Sequence, residues 1–165
     1  MIYVGIGSNL TSKGCLSPYH TVLSAVEHFP KFGLKVYKQS NWYKSAPVPI
    51  SKQPWFVNGV VKISSNQGAK SLLNVLHSIE DLFGRQRPDL NSSRTLDLDL
   101  LDYKGMIIDD CPELILPHPR MEKRAFVLVP LRDICPDWQS PVTGQNILDL
   151  ITWLPADQEI KKIDD

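Results

Sequence analysis

The polar and apolar positions change period several times along the chain, and each change marks an element. Ile2-Tyr3-Val4-Gly5-Ile6 is short, rich in β-formers and closed by Gly7-Ser8-Asn9, the pattern of a strand running into a turn. From Leu16 to Phe29 the apolar residues Leu16, Tyr19, Val22, Leu23, Val26 and Phe29 recur at steps of three and four, which predicts a helix with one buried face, ended by Pro30 and Gly33. An extended segment follows from Leu34 towards Tyr43, and Phe56 to Ile63 alternates as a further strand. Between them Ala46 to Pro54 holds three prolines, which cannot donate to a ladder, so a surface loop is expected.

Ala69 to Phe83 places Leu72, Leu73, Leu76, Ile79, Leu82 and Phe83 on one helical face and stops at Gly84. Thr95 to Leu101 alternates with period two, and Asp102-Tyr103-Lys104-Gly105 reads as the turn of a hairpin leading to Met106-Ile107-Ile108. A short helix is expected around Ile147 to Leu154. The order strand, helix, strand, strand, helix, strand predicts an α+β fold with a ferredoxin-like βαββαβ core, an antiparallel sheet with packed helices.

Composition narrows the function classes. A chain of 165 residues with 42% hydrophobic content is sized for one core, so one domain over residues 1–165 is expected. Lys plus Arg and Asp plus Glu are 18 each, so no overall field draws the chain to nucleic acid or an anionic membrane. The three cysteines, Cys15, Cys111 and Cys135, are widely spaced and form no C-x-x-C pair, which argues against a disulfide framework or a zinc site and for a reducing cytosol. No apolar run approaches the ~20 residues that span a bilayer, and the start lacks a signal-peptide pattern, so a soluble, cytoplasmic protein is expected.

Local clusters carry the candidate chemistry. On a strand, Asp97 and Asp99 point the same way, opposite Leu96, Leu98 and Leu100. Such a pair suits magnesium, which takes one or two protein carboxylates and fills its remaining positions with water and phosphate oxygens; a solvated polar face gives the same alternation. Positive charge gathers at Arg85, Arg87 and Arg94, then at His118, Arg120, Lys123 and Arg124. Guanidinium groups fork onto phosphate oxygens, whereas Arg85 and Arg87 just past a helix end also complement its dipole. Trp55, Phe56 and Phe126, with Asn58, offer aromatic walls and an amide for a flat heterocycle, and Phe56 equally suits a core strand. The P-loop pattern G-x-x-x-x-G-K-[ST] is absent, Gly5-x-Gly7 is too short for a dinucleotide fingerprint, and no strand carries an RNA-recognition aromatic motif, so nucleic acid is not an expected partner.

Six ordered blocks extend this reading: Gly5-Ile6-Gly7-Ser8-Asn9-Leu10, Tyr43-Lys44-Ser45-Ala46-Pro47, Gln53-Pro54-Trp55-Phe56-Val57-Asn58, Ile79-Glu80 running into Gly84-Arg85-Gln86-Arg87, Arg94-Thr95-Leu96-Asp97-Leu98-Asp99, and Leu116-Pro117-His118-Pro119-Arg120-Met121 through Arg124-Ala125-Phe126. Together they resemble the 6-hydroxymethyl-7,8-dihydropterin pyrophosphokinase (HPPK) family of folate biosynthesis. The resemblance implies a transferase that moves pyrophosphate from ATP to the pterin hydroxymethyl group and releases AMP; a monomer is the expected state. It implies two magnesium ions on Asp97 and Asp99, ATP held by Arg85, Arg87, Arg94, His118 and Arg124, and pterin lined by Ser45, Ala46, Val48, Phe56, Asn58 and Phe126. Asp97, Asp99, Arg85 and Arg94 would carry the catalysis. The proton acceptor stays open between Asp97 and a metal-acidified hydroxyl that needs no base. Many relatives carry a tryptophan shortly before the R-T-L-D-L-D block, where this chain has Pro88-Asp89-Leu90-Asn91-Ser92-Ser93. A magnesium-dependent phosphohydrolase or nucleotidyltransferase, or a non-catalytic pterin- or nucleotide-binding domain, are the alternatives.

Overall fold

The computed structural model describes residues 1–84 and 94–164. Along them run β1 (Ile2–Ser8), α1 (Pro18–His28), a 3-10 turn (Phe29–Phe32), β2 (Lys35–Gln39), β3 (Tyr43–Ser45), β4 (Phe56–Ser64), α2 (Ala69–Leu82), β5 (Asp97–Tyr103), β6 (Ile108–Cys111), β7 (Leu114–Leu116), α3 (Ala125–Ile134), α4 (Ile147–Thr152) and β8 (Ile160–Lys162). The main sheet is antiparallel, in the order β5-β1-β4-β3-β8, with β2 on the same edge of β4 as β3. Its β5-β1-β4-β2/β3 core is the ferredoxin-like arrangement expected from the element order. Among the described residues no helix is long and apolar enough to cross a membrane.

Strand alternation splits the core into two layers. Ile2, Val4 and Ile6 of β1 join Leu98 and Leu100 of β5, and Leu72, Leu76 and Ile79 of α2, on one face. Tyr3, Val60 and Leu101 face Val127, Leu128 and Leu131 of α3 and Ile147 and Leu150 of α4 on the other. A side chain such as Leu76 or Leu128, wholly buried here, contributes about 1.5–3 kcal/mol relative to exposure. The face that bears Asp97 and Asp99 is therefore covered by a helix for much of its area, and the two carboxylates are only 19% and 29% exposed. That is unlike a solvated polar face.

Several elements differ from the expectation, each for a local reason. Leu16 is 84% exposed, because the helix starts at Pro18 with the Ser17 hydroxyl accepting from the His20 amide as its N-cap. The segment expected from Leu34 towards Tyr43 is broken in two, since the Ser40 hydroxyl takes the Val60 N–H while the Ser40 N–H bonds the Val60 carbonyl. The hairpin after β5 does not form. Lys104 and Gly105 do turn the chain at positive φ, but β6 pairs with β7 instead. The outer edge of β5 is already taken: Glu80 of α2 accepts from Leu98 N–H at 2.7 Å, and His118 N–H donates to the Leu101 carbonyl at 2.8 Å.

Candidate functional site

The antiparallel register sets Asp97 opposite Gly7 and Asp99 opposite Gly5 on β1, and Gly7 in turn opposite Asn58 on β4. Cross-strand neighbours share a face, so one row reads Asp97, Gly7, Asn58. The bare glycine leaves the space between the carboxylate and the amide open. A Cβ at Gly7 would stand 2.9 Å from Asn58 Oδ1, closer than such contacts allow.

Two guanidinium groups and an imidazole flank the acid pair. Arg94 Nη1 bonds Asp97 Oδ2, Arg124 Nη1 lies 3.6 Å from Asp99 Oδ2, and His118 Nε2 lies 3.9 Å from Asp99 Oδ1. Arg94 is seated by its backbone: its N–H donates to Asn9 Oδ1 at 2.7 Å, and its carbonyl accepts from Asn9 and Leu10. Burial lowers the pKa of His118 to about 4, helped by the Arg124 and Arg120 charges and opposed by Asp97. The imidazole is neutral at pH 7, and because Nδ1 accepts from Arg120 N–H, Nε2 carries the proton towards Asp99. Burial also lowers the pKa of Arg124, an effect that Asp99 opposes.

Beside this lies a cavity of about 160 Å³ whose wall includes all six residues expected to meet a heterocycle: Ser45, Ala46, Val48, Phe56, Asn58 and Phe126. Arg94, Asp97 and Arg124 also line it, so Asp97 of the acid pair borders the aromatic cavity. Asn58 Nδ2 donates to Ser45 Oγ at 2.7 Å, which fixes the amide and leaves Oδ1 towards Gly7. The Arg124 guanidinium stacks 5.3 Å from the Phe126 ring centroid. On the other side of Asp99 and His118 a second cavity of about 220 Å³ is walled by Leu73 and His77 of α2, Leu98 and Leu100 of β5, and Leu114 and Ile115 of β7. Arg85, Arg87 and the segment without the tryptophan lie outside the described residues.

Three positioning groups had no role assigned from sequence. Asn9 is 2% exposed and joins three segments, since its Nδ2 also donates to Gln53 Oε1 and the Pro54 carbonyl. Glu80, wholly buried, holds the strand between the two aspartates by the Leu98 bond. Gln53 joins Pro47 and Pro49 in the cavity wall. Asn9, Gln53 and Glu80 sit inside the six blocks, which was the available signal, but their partners are far away in sequence.

Fold and site together define a ferredoxin-like α+β domain with an aspartate pair, flanked by two guanidinium groups and an imidazole, set between two cavities. The family model for 7,8-dihydro-6-hydroxymethylpterin-pyrophosphokinase (HPPK) matches residues 3–136, and the chain belongs to that family of folate-synthesis enzymes. It is 38% identical over 136 residues to the 2-amino-4-hydroxy-6-hydroxymethyldihydropteridine pyrophosphokinase of Methylorubrum extorquens, covering 82% of each. It is 37% identical to the same-named protein of Pseudomonas aeruginosa, over 93% of this chain and 91% of that one. It is also 36% identical to the folic acid synthesis protein fol1 of Pneumocystis carinii, spanning 98% of this chain but only 21% of that longer protein. The solved HPPK-DHPS of Plasmodium falciparum with SDX-DHP superposes with a TM-score of 0.66 over 92% of this chain and 43% of its own; at 14% identity this speaks for the fold alone.

Proposed function

We propose that the chain transfers the pyrophosphoryl group of ATP to the hydroxymethyl oxygen of 6-hydroxymethyl-7,8-dihydropterin. The observation that carries the reading is the shared row Asp97, Gly7, Asn58, which sets a carboxylate for phosphate-bound cations and an amide for a heterocycle edge on either side of an open glycine. Phe56 and Phe126 would sandwich the pterin, Asn58 and Ser45 would read its edge, and Ala46 and Val48 would close the wall. The cavity between α2 and β7, where leucines stand beside His77, Glu113 and His118, would take the adenine of ATP, with the triphosphate crossing Asp99 towards Asp97.

The acid pair fits magnesium. Both carboxylates are largely buried on one face opposite glycines, and a pair of carboxylates would leave positions for water and phosphate oxygens. Two such ions, when bound, neutralise the triphosphate and polarise its phosphorus. The chain's own part is positioning: Arg94 and Arg124, now paired with Asp97 and Asp99, would turn to the phosphates together with His118 as a neutral donor, and Arg85 and Arg87 would join them. The pterin oxygen bonds the β-phosphorus, the bond from that phosphorus to the α,β-bridging oxygen breaks, and AMP leaves. The hydroxyl proton passes either to the Asp97 carboxylate or directly to solvent water, the two routes the sequence leaves open.

We also propose that the chain is a single-domain monomer of a reducing cytosol, the last resting on three widely spaced cysteines with no C-x-x-C pair. Incubation with ATP, magnesium and the hydroxymethyldihydropterin should yield AMP only when all three are present, and EDTA should stop it. Orthophosphate release without pterin, nucleotide transfer, or binding without turnover would each overturn the proposal.

A further inference from the structure

Helix α3 bears Arg124 at its N-cap and Phe126 in its first turn, yet Arg124 provides no side-chain cap. The opening N–H groups of a helix have no partner within it and are usually satisfied by a nearby Ser, Thr, Asp or Asn. Here the Ala125 N–H donates to Gln158 Oε1 at 2.8 Å, and Gln158 Nε2 donates to the Lys123 carbonyl at 2.8 Å. One amide from 33 residues further along the chain thus grips the backbone on both sides of Arg124.

The same short segment also holds the facing wall of the 160 Å³ cavity. The Glu159 carbonyl accepts from Ala46 N–H at 3.1 Å, β8 pairs Ile160 with Ser45, and Lys161 Nζ stands 5.3 Å from the Trp55 ring centroid. Ser45 and Ala46 line one side of that cavity and Arg124 and Phe126 another. At the far end of α3 the two elements are tied directly, because Asp133 accepts from the Tyr43 hydroxyl at 2.8 Å and from Asn41 Nδ2 at 2.9 Å. At the cavity end the tie runs through residues 158–161, beyond the part of the chain that the family model matches.

We propose that residues 158–161 form a clasp that sets the spacing of the two cavity walls, with Gln158 as its positioning residue. The proposal rests on the cavity being the pterin half-site. Gln158 touches no substrate in this scheme; it acts through Arg124 and Phe126 on one side, while its neighbours Glu159 and Ile160 hold Ser45 and Ala46 on the other, and Lys161 lies over Trp55, the residue next to the wall's Phe56. Its loss would let the walls drift apart without exposing either core layer.

The test compares wild type with Gln158→Met, which keeps the length of the side chain and removes both polar ends, and with Gln158→Glu, which keeps an oxygen for the Ala125 N–H. Dissociation constants are measured by fluorescence for 6-hydroxymethylpterin in the presence of magnesium and α,β-methylene-ATP, and separately for that nucleotide. Gln158→Met should weaken pterin binding about tenfold and nucleotide binding, through Arg124, only about twofold, with a melting temperature close to wild type, and Gln158→Glu should recover part of both losses. Lys161→Ala, at an exposed side chain, should weaken pterin binding about twofold. Wild-type pterin affinity in both Gln158→Met and Lys161→Ala would overturn the clasp, as would an equal loss for both ligands together with a lowered melting temperature. Wild-type protein that binds no pterin would instead overturn the reading of the cavity, and the clasp with it.

Discussion

At the acid end of the site, Asp97 and Asp99 stand two residues apart on one strand, and the ladder to β1 alone sets them opposite Gly7 and Gly5. The heterocycle end is assembled otherwise: Ser45 comes from β3, Asn58 from β4 and Phe126 from α3, joined by side-chain bonds such as Asn58 to Ser45 and by the Gln158 grip on Ala125. The first is fixed by backbone periodicity and one buried carboxylate; the second depends on bonds between distant segments. Substitutions at the acid end should therefore remove chemistry while leaving geometry, and substitutions at the other end should alter geometry and, through it, affinity for one ligand.

The sharpest break of that contrast is at the carboxylates. Asp97→Ala or Asp99→Ala should cut the rate of AMP formation by about 10³-fold or more with an unchanged far-ultraviolet circular dichroism spectrum, and near-native turnover in either variant would remove the metal assignment. Phe56→Ala should come next, weakening pterin binding about thirtyfold while ATP binding holds; a variant that only melts earlier would make Phe56 a core residue. Gly7→Ala, whose Cβ would press on Asn58 Oδ1, should weaken pterin binding about tenfold by displacing that amide, as titration of the variant would show. Smallest is Glu80→Gln: the amide oxygen still accepts from Leu98 N–H, so turnover should fall only about two- to fivefold, whereas Glu80→Ala should fall much further. Equal losses in the two Glu80 variants would show that its charge, not its bond, matters.

The helix over Ala69–Leu82 and the strand of the aspartates were legible because their signals are periodic and local. The break after Gln39 was not, since it depends on the Ser40 hydroxyl meeting Val60 across the sheet. The β5 hairpin was misread for a related reason. Alternating leucines announce a strand, but say nothing about which element occupies its second edge, and Glu80 and His118 had taken it.

The same division holds for the site. Sequence by itself determined that Asp97 and Asp99 share a face, because side chains on a strand alternate, and its ordered blocks named the family. Only the tertiary structure decided that this face is roofed rather than solvated, that Gly7 opens the way from Asp97 to Asn58, and that the start of α3 is capped by Gln158. Periodicity is a property of neighbours along the chain. Register, roofing and a cap lent across 33 residues exist only once distant segments have packed, and no local pattern encodes them.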